Sequence, residues 1–441
     1  MSQKQDRRTF IKKAGVGAVG LTLGMSAKSY ANIIGANDRI NFAAAGIRGR
    51  GKALIRAAAA QKNTALLSIC DVDSREFDIT NKLVRSTFGN TAKTYADIRK
   101  MLENKDIDAL LIASPDHWHA PMALMGMQAD KHVYVEKPCS HNPREGELLV
   151  KAQKKYGKVV QMGNQQRSAP TSQQGVKAIR EGIIGDVYFG KAWYSNNRGS
   201  IGVGKKVAIP EWLDWELFQG PAPRTPFKDN YVHYNWHWFW NFGTGEINNN
   251  GTHEIDICRW ALGVEIPNRV SSSGGRYHFQ DDWEFYDTQI VNFEYEGGKM
   301  ITWEGFSCNG HQQYNRGRGA LVRGTKGSMM LDRNGVIAYD LAGKVVLDLK
   351  EEAKSGTIDT VGAGALDTYH MTNFINGIKV GEKLAAPIDD GATSNLHCHL
   401  GNISQKLGRS LEVNPKNGRM KDKQAMKYWA RDYEPGWEMK V

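Results

Sequence analysis

Between residues 39 and 160 the chain alternates short apolar runs with stretches of helix-forming composition. Arg39 to Ala45 (RINFAAA) is the first such run, and it leads through a glycine-rich turn into Lys52 to Gln61, whose residues favour helix. Ala65 to Cys70 ends at Asp71, Asp108 to Ala113 ends at Ser114-Pro115-Asp116, and His132 to Val135 ends at Glu136-Lys137-Pro138. Helix-like Ala120 to Ala129 separates the last two. Apolar runs alternating with helices predict a parallel, doubly wound sheet. Beyond Gly163 the texture changes: Val187 to Tyr194, Thr288 to Tyr295, Lys299 to Glu304 and Ser328 to Leu331 read as strands separated by Gly-rich turns, which suits a largely antiparallel sheet. The expected fold class is α/β. An N-terminal Rossmann domain over 38–162 precedes an α+β domain with an open, mostly antiparallel sheet over 163–390, and a C-terminal segment, 391–441, packs back on the domains.

Length supports this division, because 441 residues exceed what one hydrophobic core usually serves. The formal charge of +11 suggests nucleic acid until its distribution is read: residues 1–32 alone carry Lys4, Arg7, Arg8, Lys12, Lys13 and Lys28 against Asp6. The remaining basic residues are scattered, so no concentrated patch marks a nucleic-acid partner. Cys70, Cys139, Cys258, Cys308 and Cys398 are far apart and form no C-x-x-C pair, which indicates neither a disulfide framework nor a zinc site. His117 with His119, and His397 with His399, have ligand-like spacing but lack Cys or carboxylate partners at matching spacing, so no metal is expected. Asp6-Arg7-Arg8-Thr9-Phe10-Ile11-Lys12, the apolar stretch Ala14 to Met25 and the small-residue sites that follow resemble a twin-arginine signal peptide over residues 1–32. That resemblance implies an exported, periplasmic protein that folds before it leaves. The stretch is shorter than the ~20 apolar residues of a membrane span, so none is expected in the mature protein.

A dinucleotide fingerprint needs glycines where a strand turns tightly into a helix and where backbone meets pyrophosphate. Aligned on G-x-G-x-x-G the chain offers Ala44-Ala45-Gly46-Ile47-Arg48-Gly49, with Ala44 in the first glycine's place. The motif follows a strand, opens a helix and is succeeded by Asp71 at the end of the next strand. Asp71 is placed to accept hydrogen bonds from the adenosine ribose and to repel a 2′-phosphate, which favours NAD. NADP is the alternative, because Arg48 can contact phosphate.

Ser114-Pro115-Asp116-His117-Trp118-His119, then Glu136-Lys137-Pro138, then Gly251-Thr252-His253-Glu254-Ile255-Asp256-Ile257-Cys258-Arg259-Trp260 form an ordered set. Together they resemble the glucose-fructose oxidoreductase and inositol dehydrogenase family, often called Gfo/Idh/MocA, over essentially the whole mature chain. The resemblance implies that Lys137 lies between nicotinamide and substrate, that the Lys137-Pro138 bond is cis, and that the second domain's sheet walls the substrate. It places Ser114, Pro115, His119, Glu136 and Lys137 on the cofactor and His253 as the catalytic histidine. Inositol dehydrogenases of this family carry an aspartate four residues before that histidine, where this chain has Asn249. Glu246 or Asp256 can substitute for it; alternatively, Asp256 and Arg259 form a structural ion pair at a helix start. Gln166 and Arg167 follow the strand that leaves the first domain, where resembling proteins place substrate contacts. Trp236, in the aromatic run His233 to Trp240, offers a face on which a sugar can stack or a core can pack.

The implied function is NAD(P)-dependent oxidation or reduction of a sugar, polyol or glycoside by hydride transfer, with the cofactor tightly held because free NAD is scarce outside the cytoplasm. A glycosidase that uses bound NAD transiently needs the same fold, lysine and base, and is the alternative. A homo-oligomer, dimer or tetramer, is implied by the family.

Overall fold

The structure, a computed structural model, describes residues 39–351 and 364–441. The expected signal peptide lies outside the described residues. Strands β1 (Ile40–Ala45), β2 (Thr64–Cys70), β3 (Lys93–Tyr95), β4 (Ala109–Ile112), β5 (His132–Val135) and β6 (Val160–Met162) pair in the order β3-β2-β1-β4-β5-β6. All of these pairings are parallel. Helices α1 (Gly49–Ala59), α2 (Glu76–Phe88), α3 (Ile98–Met101), α4 (Asp116–Gln128) and α5 (Pro143–Tyr156) lie between the strands. Every residue of β4 is buried, which is why that strand reads as an unbroken apolar run. The strand order reverses between β1 and β4, so the loops leaving these two strands diverge and open a crevice at their carboxyl ends.

A 3-10 turn (Gln165–Ser168) and α6 (Pro170–Arg180) lead into the second sheet. Its elements are β7 (Val187–Ser195), α7 (Trp215–Gln219), α8 (Thr252–Leu262), β8 (Arg269–Gly275), β9 (Thr288–Tyr295), β10 (Lys299–Phe306), β11 (Arg318–Gly324), β12 (Gly327–Asp332), β13 (Gly335–Asp340) and β14 (Val345–Lys350). After α9 (Ala365–Val380) and α10 (Ile388–Leu407), β15 (Leu411–Glu412) completes it. The strands run β14-β13-β12-β11-β7-β10-β9-β8-β15. Only β7 and β10 pair in parallel; the other neighbours are antiparallel. Alternation in β9 buries Gln289, Val291, Phe293 and Tyr295 and turns the residues between them outward. The inner face of the sheet shares one core with Ile255, Ile257 and Cys258 of α8 and with Cys398, Leu400 and Ile403 of α10.

Two segments cross between these halves. Met371, Phe374 and Ile375 of α9, which lies within 163–390, are buried with Ile40, Phe42 and Leu111 of the first sheet, while its His370 bonds Ser168 of the 3-10 turn that opens the second half. The helix α10 runs unbroken through the expected boundary at 390/391. In the other direction, the long connection between β7 and α8 reaches back to the first domain. Asp214 N–H donates to the Val72 carbonyl at 3.0 Å and Ser74 N–H to that of Trp212 at 2.9 Å, which lays this strap along the edge of the crevice.

Candidate active site

The dinucleotide wall begins where β1 ends. Gly46 has φ +77°, and a Cβ there would lie 2.4 Å from the Ser114 amide nitrogen, so the turns after β1 and β4 touch only because this residue is glycine. A Cβ on Gly51 would lie 1.9 Å from the Gly46 carbonyl oxygen. Gly51 is therefore the glycine that lets α1 abut the turn, one that the fingerprint alignment ending at Gly49 passes over. Gly49 itself opens α1 and lines the crevice. Ala44 corrects the expectation of a cofactor contact: it is a core residue of β1, paired with Ile69 and Leu111 and outside the lining of the crevice. The first turn of α1 carries no acidic residue, which leaves its positive dipole end available to phosphate.

Asp71 closes this wall. Its carboxylate accepts from Ile47 N–H at 2.8 Å and Asp73 N–H at 3.0 Å. Burial pushes its pKa up to about 6 against the pull of those two amides. Arg48 also lines the crevice, half exposed and 3.3 Å from Glu76. Ser114 and Pro115 line it as well, and the buried Ser114 hydroxyl has no hydrogen-bond partner among the described residues, which leaves it open to a ligand. A glycine turn with no room for a Cβ, a helix terminus, an unpartnered hydroxyl and a ribose-height carboxylate together fit a nicotinamide dinucleotide.

The middle of the crevice is built by the loops after β4 and β5. His119 ties them together, its ring nitrogens 2.6 Å from the Pro138 carbonyl oxygen and 2.7 Å from that of Ser114. Burial holds its pKa below the usual histidine value. The Lys137-Pro138 bond is cis. Glu136 accepts from Arg50 Nε at 2.8 Å and from Gln165 Nε2 at 2.9 Å, and Arg50 also bonds Asp367 of α9, so the Glu-Lys-Pro loop is pinned from two sides. Lys137 is thereby aimed across the crevice.

Opposite Lys137 the second domain presents a π-helical turn, Ile247–Gly251, running into α8. Such turns displace side chains from the regular helix ladder and gather at functional sites. Lys137 Nζ donates to the Asn249 carbonyl at 2.6 Å and to Asn249 Oδ1 at 3.2 Å. Burial lowers the lysine's pKa, with Glu136 and Asp116 pulling it back. His253, one turn on, lines the same cavity and makes no hydrogen bond to any described residue. Burial and then the nearby cations Arg333, Arg318 and Lys137 keep its ring neutral. Glu246, the first of the two expected substitutes for an aspartate at 249, accepts from Asn249 Nδ2 at 3.3 Å and Asn250 Nδ2 at 2.5 Å and pairs with Arg198 at 2.7 Å. It is held ionised by that arginine despite its burial.

Other expected residues lie elsewhere. Arg167 is a correction: its guanidinium is bidentate to Asp256 at 2.7 and 2.9 Å, reaches Asp390 at 2.7 Å, and does not line the crevice. Asp256 therefore pairs with Arg167, not with Arg259, which bonds Asp390 and Glu265 instead. Nor does Gln166 line the crevice; its neighbour Gln165 does. Trp236 does line it, stacked on His237 with ring centroids 3.6 Å apart. Tyr234, from the same aromatic run, completes this wall together with Tyr194 and Arg198, for which the sequence gives no signal, and Arg198 donates to the Tyr234 hydroxyl at 2.7 Å. The resulting cavity has a volume of 460 Å³, within the range of small-molecule sites.

Among the described residues no cluster of three His, Cys, Asp or Glu is arranged to hold a metal, and no helix is long and apolar enough to cross a membrane. His117 sits against the Phe218 and Phe242 carbonyls and His397 against the Tyr295 hydroxyl, which accounts for the suggestive spacing of these histidines.

Comparison with known proteins agrees with this geometry. Residues 40–164 match the model of the oxidoreductase family with an NAD-binding Rossmann fold, and residues 184–438 match the C-terminal alpha/beta domain of the same oxidoreductase family. The chain is 23% identical to a protein of Tannerella forsythia named alpha-N-acetylgalactosaminidase, over 87% of this chain and 90% of that one. It is also 23% identical to a glycosyl hydrolase family 109 protein of Parabacteroides distasonis, over 92% and 95%. Among solved structures it resembles the WlbA dehydrogenase of Bordetella pertussis in complex with NADH and UDP-GlcNAcA, with a TM-score of 0.63, 19% identity and coverage of 85% and 99%. Aldose-aldose oxidoreductase from Caulobacter crescentus, complexed with glycerol, gives a TM-score of 0.64 at 16% identity, over 85% and 100%. With an NAD-binding Rossmann domain and the matching C-terminal domain spanning most of its length, the chain belongs to the Gfo/Idh/MocA oxidoreductase family.

Proposed function

We propose that this enzyme oxidises a hydroxyl-bearing carbon of a sugar, polyol or glycoside, with NAD tightly held. The observation that carries the reading is the convergence of two groups on one cavity: the Lys137 ammonium, bonded to the Asn249 oxygens, and the neutral His253, whose ring makes no hydrogen bond among the described residues. NAD, when bound, supplies the hydride acceptor; Gly46, Gly49, Ser114, Pro115 and Asp71 would hold it. Oxidation also requires that the substrate hydroxyl lose its proton to a base within hydrogen-bond reach. His253 has a free ring for that proton, and Lys137 orients and polarises the same oxygen. His119 positions Lys137 by fixing the Pro138 carbonyl, and Asn249 sets the direction of the ammonium. Trp236 and Tyr194 give the sugar a ring face and a hydroxyl at the cavity wall.

A second reading is favoured by the near full-length relatives named as glycosidases. In it, transient oxidation of a ring hydroxyl would acidify the neighbouring C–H, the same base would remove that proton as the leaving group departs with a proton, and water would add to the resulting unsaturated ketone before the carbonyl is reduced again. The Arg7-Arg8 segment supports export in the folded state, to the periplasm, after cofactor is loaded. Family likeness supports a homo-oligomer.

Denaturing the purified protein and weighing the released nucleotide tests the cofactor. Lys137→Ala tests the chemistry: turnover should fall at least ~100-fold, the usual worth of general acid–base catalysis, while nucleotide binding stays within about tenfold. An alanine variant that keeps most of its activity removes Lys137 from the mechanism. Sustained release of a glycoside's leaving group without an added carbonyl acceptor decides for the glycosidase reading.

A further inference from the structure

Glu246 immediately precedes the π-helical turn Ile247–Gly251, and helical spacing brings the residues three and four positions on, Asn249 and Asn250, to its side. Its buried carboxylate is fully engaged. Oε2 accepts from Arg198 Nε at 2.7 Å and from Ser307 Oγ at 3.0 Å. Oε1 accepts from Asn250 Nδ2 at 2.5 Å, from Asn249 Nδ2 at 3.3 Å and from Arg198 Nη2 at 3.3 Å.

The far end of each amide meets a cation. Lys137 Nζ donates to Asn249 Oδ1 at 3.2 Å, and Arg318 Nη1 donates to Asn250 Oδ1 at 3.0 Å. An ionised carboxylate can only accept, whereas an ammonium or guanidinium can only donate. Each amide therefore has one orientation that satisfies both neighbours, with nitrogen toward Glu246 and oxygen toward the cation. Glu246 in this way fixes which end of Asn249 the lysine meets.

We propose that Glu246 is a positioning residue for Lys137: by holding the Asn249 amide it keeps Oδ1 on the ammonium and so aims the lysine into the cavity. This rests on the reading of Lys137 given above. It also gives Glu246 a place different from that of an aspartate's substitute beside His253, which makes no hydrogen bond to any described residue. The same carboxylate carries Arg198, which donates to the Tyr234 hydroxyl at 2.7 Å, so one buried group sets both the lysine and the wall that Tyr234 completes.

Glu246→Gln keeps the size of the side chain but leaves one acceptor oxygen for two sets of donors. The Arg198 cation takes that oxygen, and the new NH2 group then faces those of Asn249 and Asn250. Asn249 must turn, which leaves Lys137 with the Asn249 backbone carbonyl, 2.6 Å away, as its acceptor. Titration of Lys137, followed by NMR of the purified protein carrying ε-13C-lysine, tests this, the signal being assigned by its loss in Lys137→Ala. Glu246→Gln should lower the pH at which Lys137 titrates by about one unit, the size of one hydrogen bond to a charged group. Asn249→Ala should lower it by as much, and Glu246→Gln should add nothing on that background, because its effect passes through the amide. Glu136 and Asp116, which favour the charged lysine, and Arg318 and Arg50, which oppose it, are the same in every variant. An effect of Glu246→Gln that persists in the Asn249→Ala background is that of the lost charge alone and overturns the proposal, as does an unchanged titration in Glu246→Gln. Should that variant not fold, 15N-asparagine spectra of the unaltered protein decide. The Asn249 amide, identified by its loss in Asn249→Ala, should show one downfield, slowly exchanging proton, and fast exchange of both protons overturns the proposal. No sugar enters these measurements, so they stand even if the hydride-transfer reading fails. A pH limb of kcat/KM that stays in place while the lysine's titration moves counts against the role given to Lys137, not against its positioning by Glu246.

Discussion

Lys137 and Asn249 face each other across the domain boundary, with Nζ 2.6 Å from the asparagine's backbone oxygen and 3.2 Å from its side-chain oxygen. Both acceptors are neutral, so they orient the ammonium without fixing its charge. Desolvation then lowers the lysine's pKa, and only the more distant Glu136 and Asp116 oppose it. Asparagine at 249 therefore leaves the lysine closer to its neutral form than an aspartate would.

Asn249→Asp should move the pH limb of kcat/KM assigned to Lys137 upward by about 1–3 units, since a carboxylate in contact favours the charged amine by that much. The direction does not depend on whether the lysine works as acid or base, because either limb follows its pKa. A pH–rate profile that superimposes on that of the unaltered enzyme would show that Lys137 does not titrate in the rate.

Asp71 gives a second pH dependence. Its pKa near 6 means that the carboxylate is protonated in the folded chain between roughly pH 4 and 6, where an unfolded aspartate is already ionised. Its contribution to stability is thus complete below the unfolded pKa and lost as pH rises through about 6. Ribose hydroxyls donate to the ionised form, so NAD affinity should strengthen as pH rises through the same range and level off above it. Asp71→Ala should flatten that dependence and weaken NAD more than NADP, because the lost charge had opposed a 2′-phosphate. Fluorescence titrations with both nucleotides from pH 5 to 8 measure this, and parallel losses for the two show that Asp71 does not read the ribose.

The buried histidines predict acid sensitivity. His117, His397 and His399 are pushed down to about 3 and His370 to about 4, in each case mainly by burial. A histidine near 6.5 when unfolded and depressed when folded stabilises fully above 6.5, and that stability drains away as pH falls toward the folded value. Each such group steepens the loss by about 1.4 kcal/mol per pH unit. His397, between the Thr393 carbonyl and the Tyr295 hydroxyl, is remote from the cavity lining and isolates the effect. Denaturant unfolding between pH 6.5 and 4.5 should show a shallower slope for His397→Gln than for the unaltered chain; identical slopes refute a neutral His397.

What was legible in the sequence follows from where each partner lies. The Rossmann strands show because burial on both faces makes them apolar throughout, and Asp71 and Gly46 are placed by a local fingerprint. β8 does not show, since its run Arg269–Gly275 is rich in serine and glycine and becomes a strand only by pairing with β9. Arg167 was misread because its partners Asp256 and Asp390 stand 89 and 223 residues away, and no local spacing announces them. The same remoteness undid the expected Asp256–Arg259 pair: i,i+3 geometry permitted it, but Arg167 offered a bidentate contact. Ala44 was assigned by motif alignment, and its burial within β1 shows that the tight turn begins two residues later, at Gly46.

The strap between β7 and α8 bears on how the cofactor is kept. Trp212 and Asp214 bond the backbone at Ser74 and Val72, and His233 Nε2 lies 2.8 Å from Asp73 Oδ2, two residues from Asp71. Arg75 stacks over Trp212 at 3.4 Å, and Trp212 stacks on His233, so the latch is one packed unit. Farther along, Leu217 and Phe218 of the strap line the cavity together with Ile98 and Trp118 of the Rossmann domain. If a dinucleotide seated against Asp71 is held by this strap, the strap's contacts should enter the dissociation rate more than the association rate. His233→Ala removes the contact to Asp73 without touching the glycine turn, and Trp212→Ala removes the stack. Both should lower the fraction of protein purified with nucleotide and speed exchange of bound NAD for a labelled copy by about tenfold, the effect of losing roughly 1.4 kcal/mol. Binding of added NAD should slow little. Exchange rates equal to those of the unaltered protein would mean that the strap does not hold the cofactor, and that retention through a catalytic cycle must come from the glycine turn and Asp71 alone.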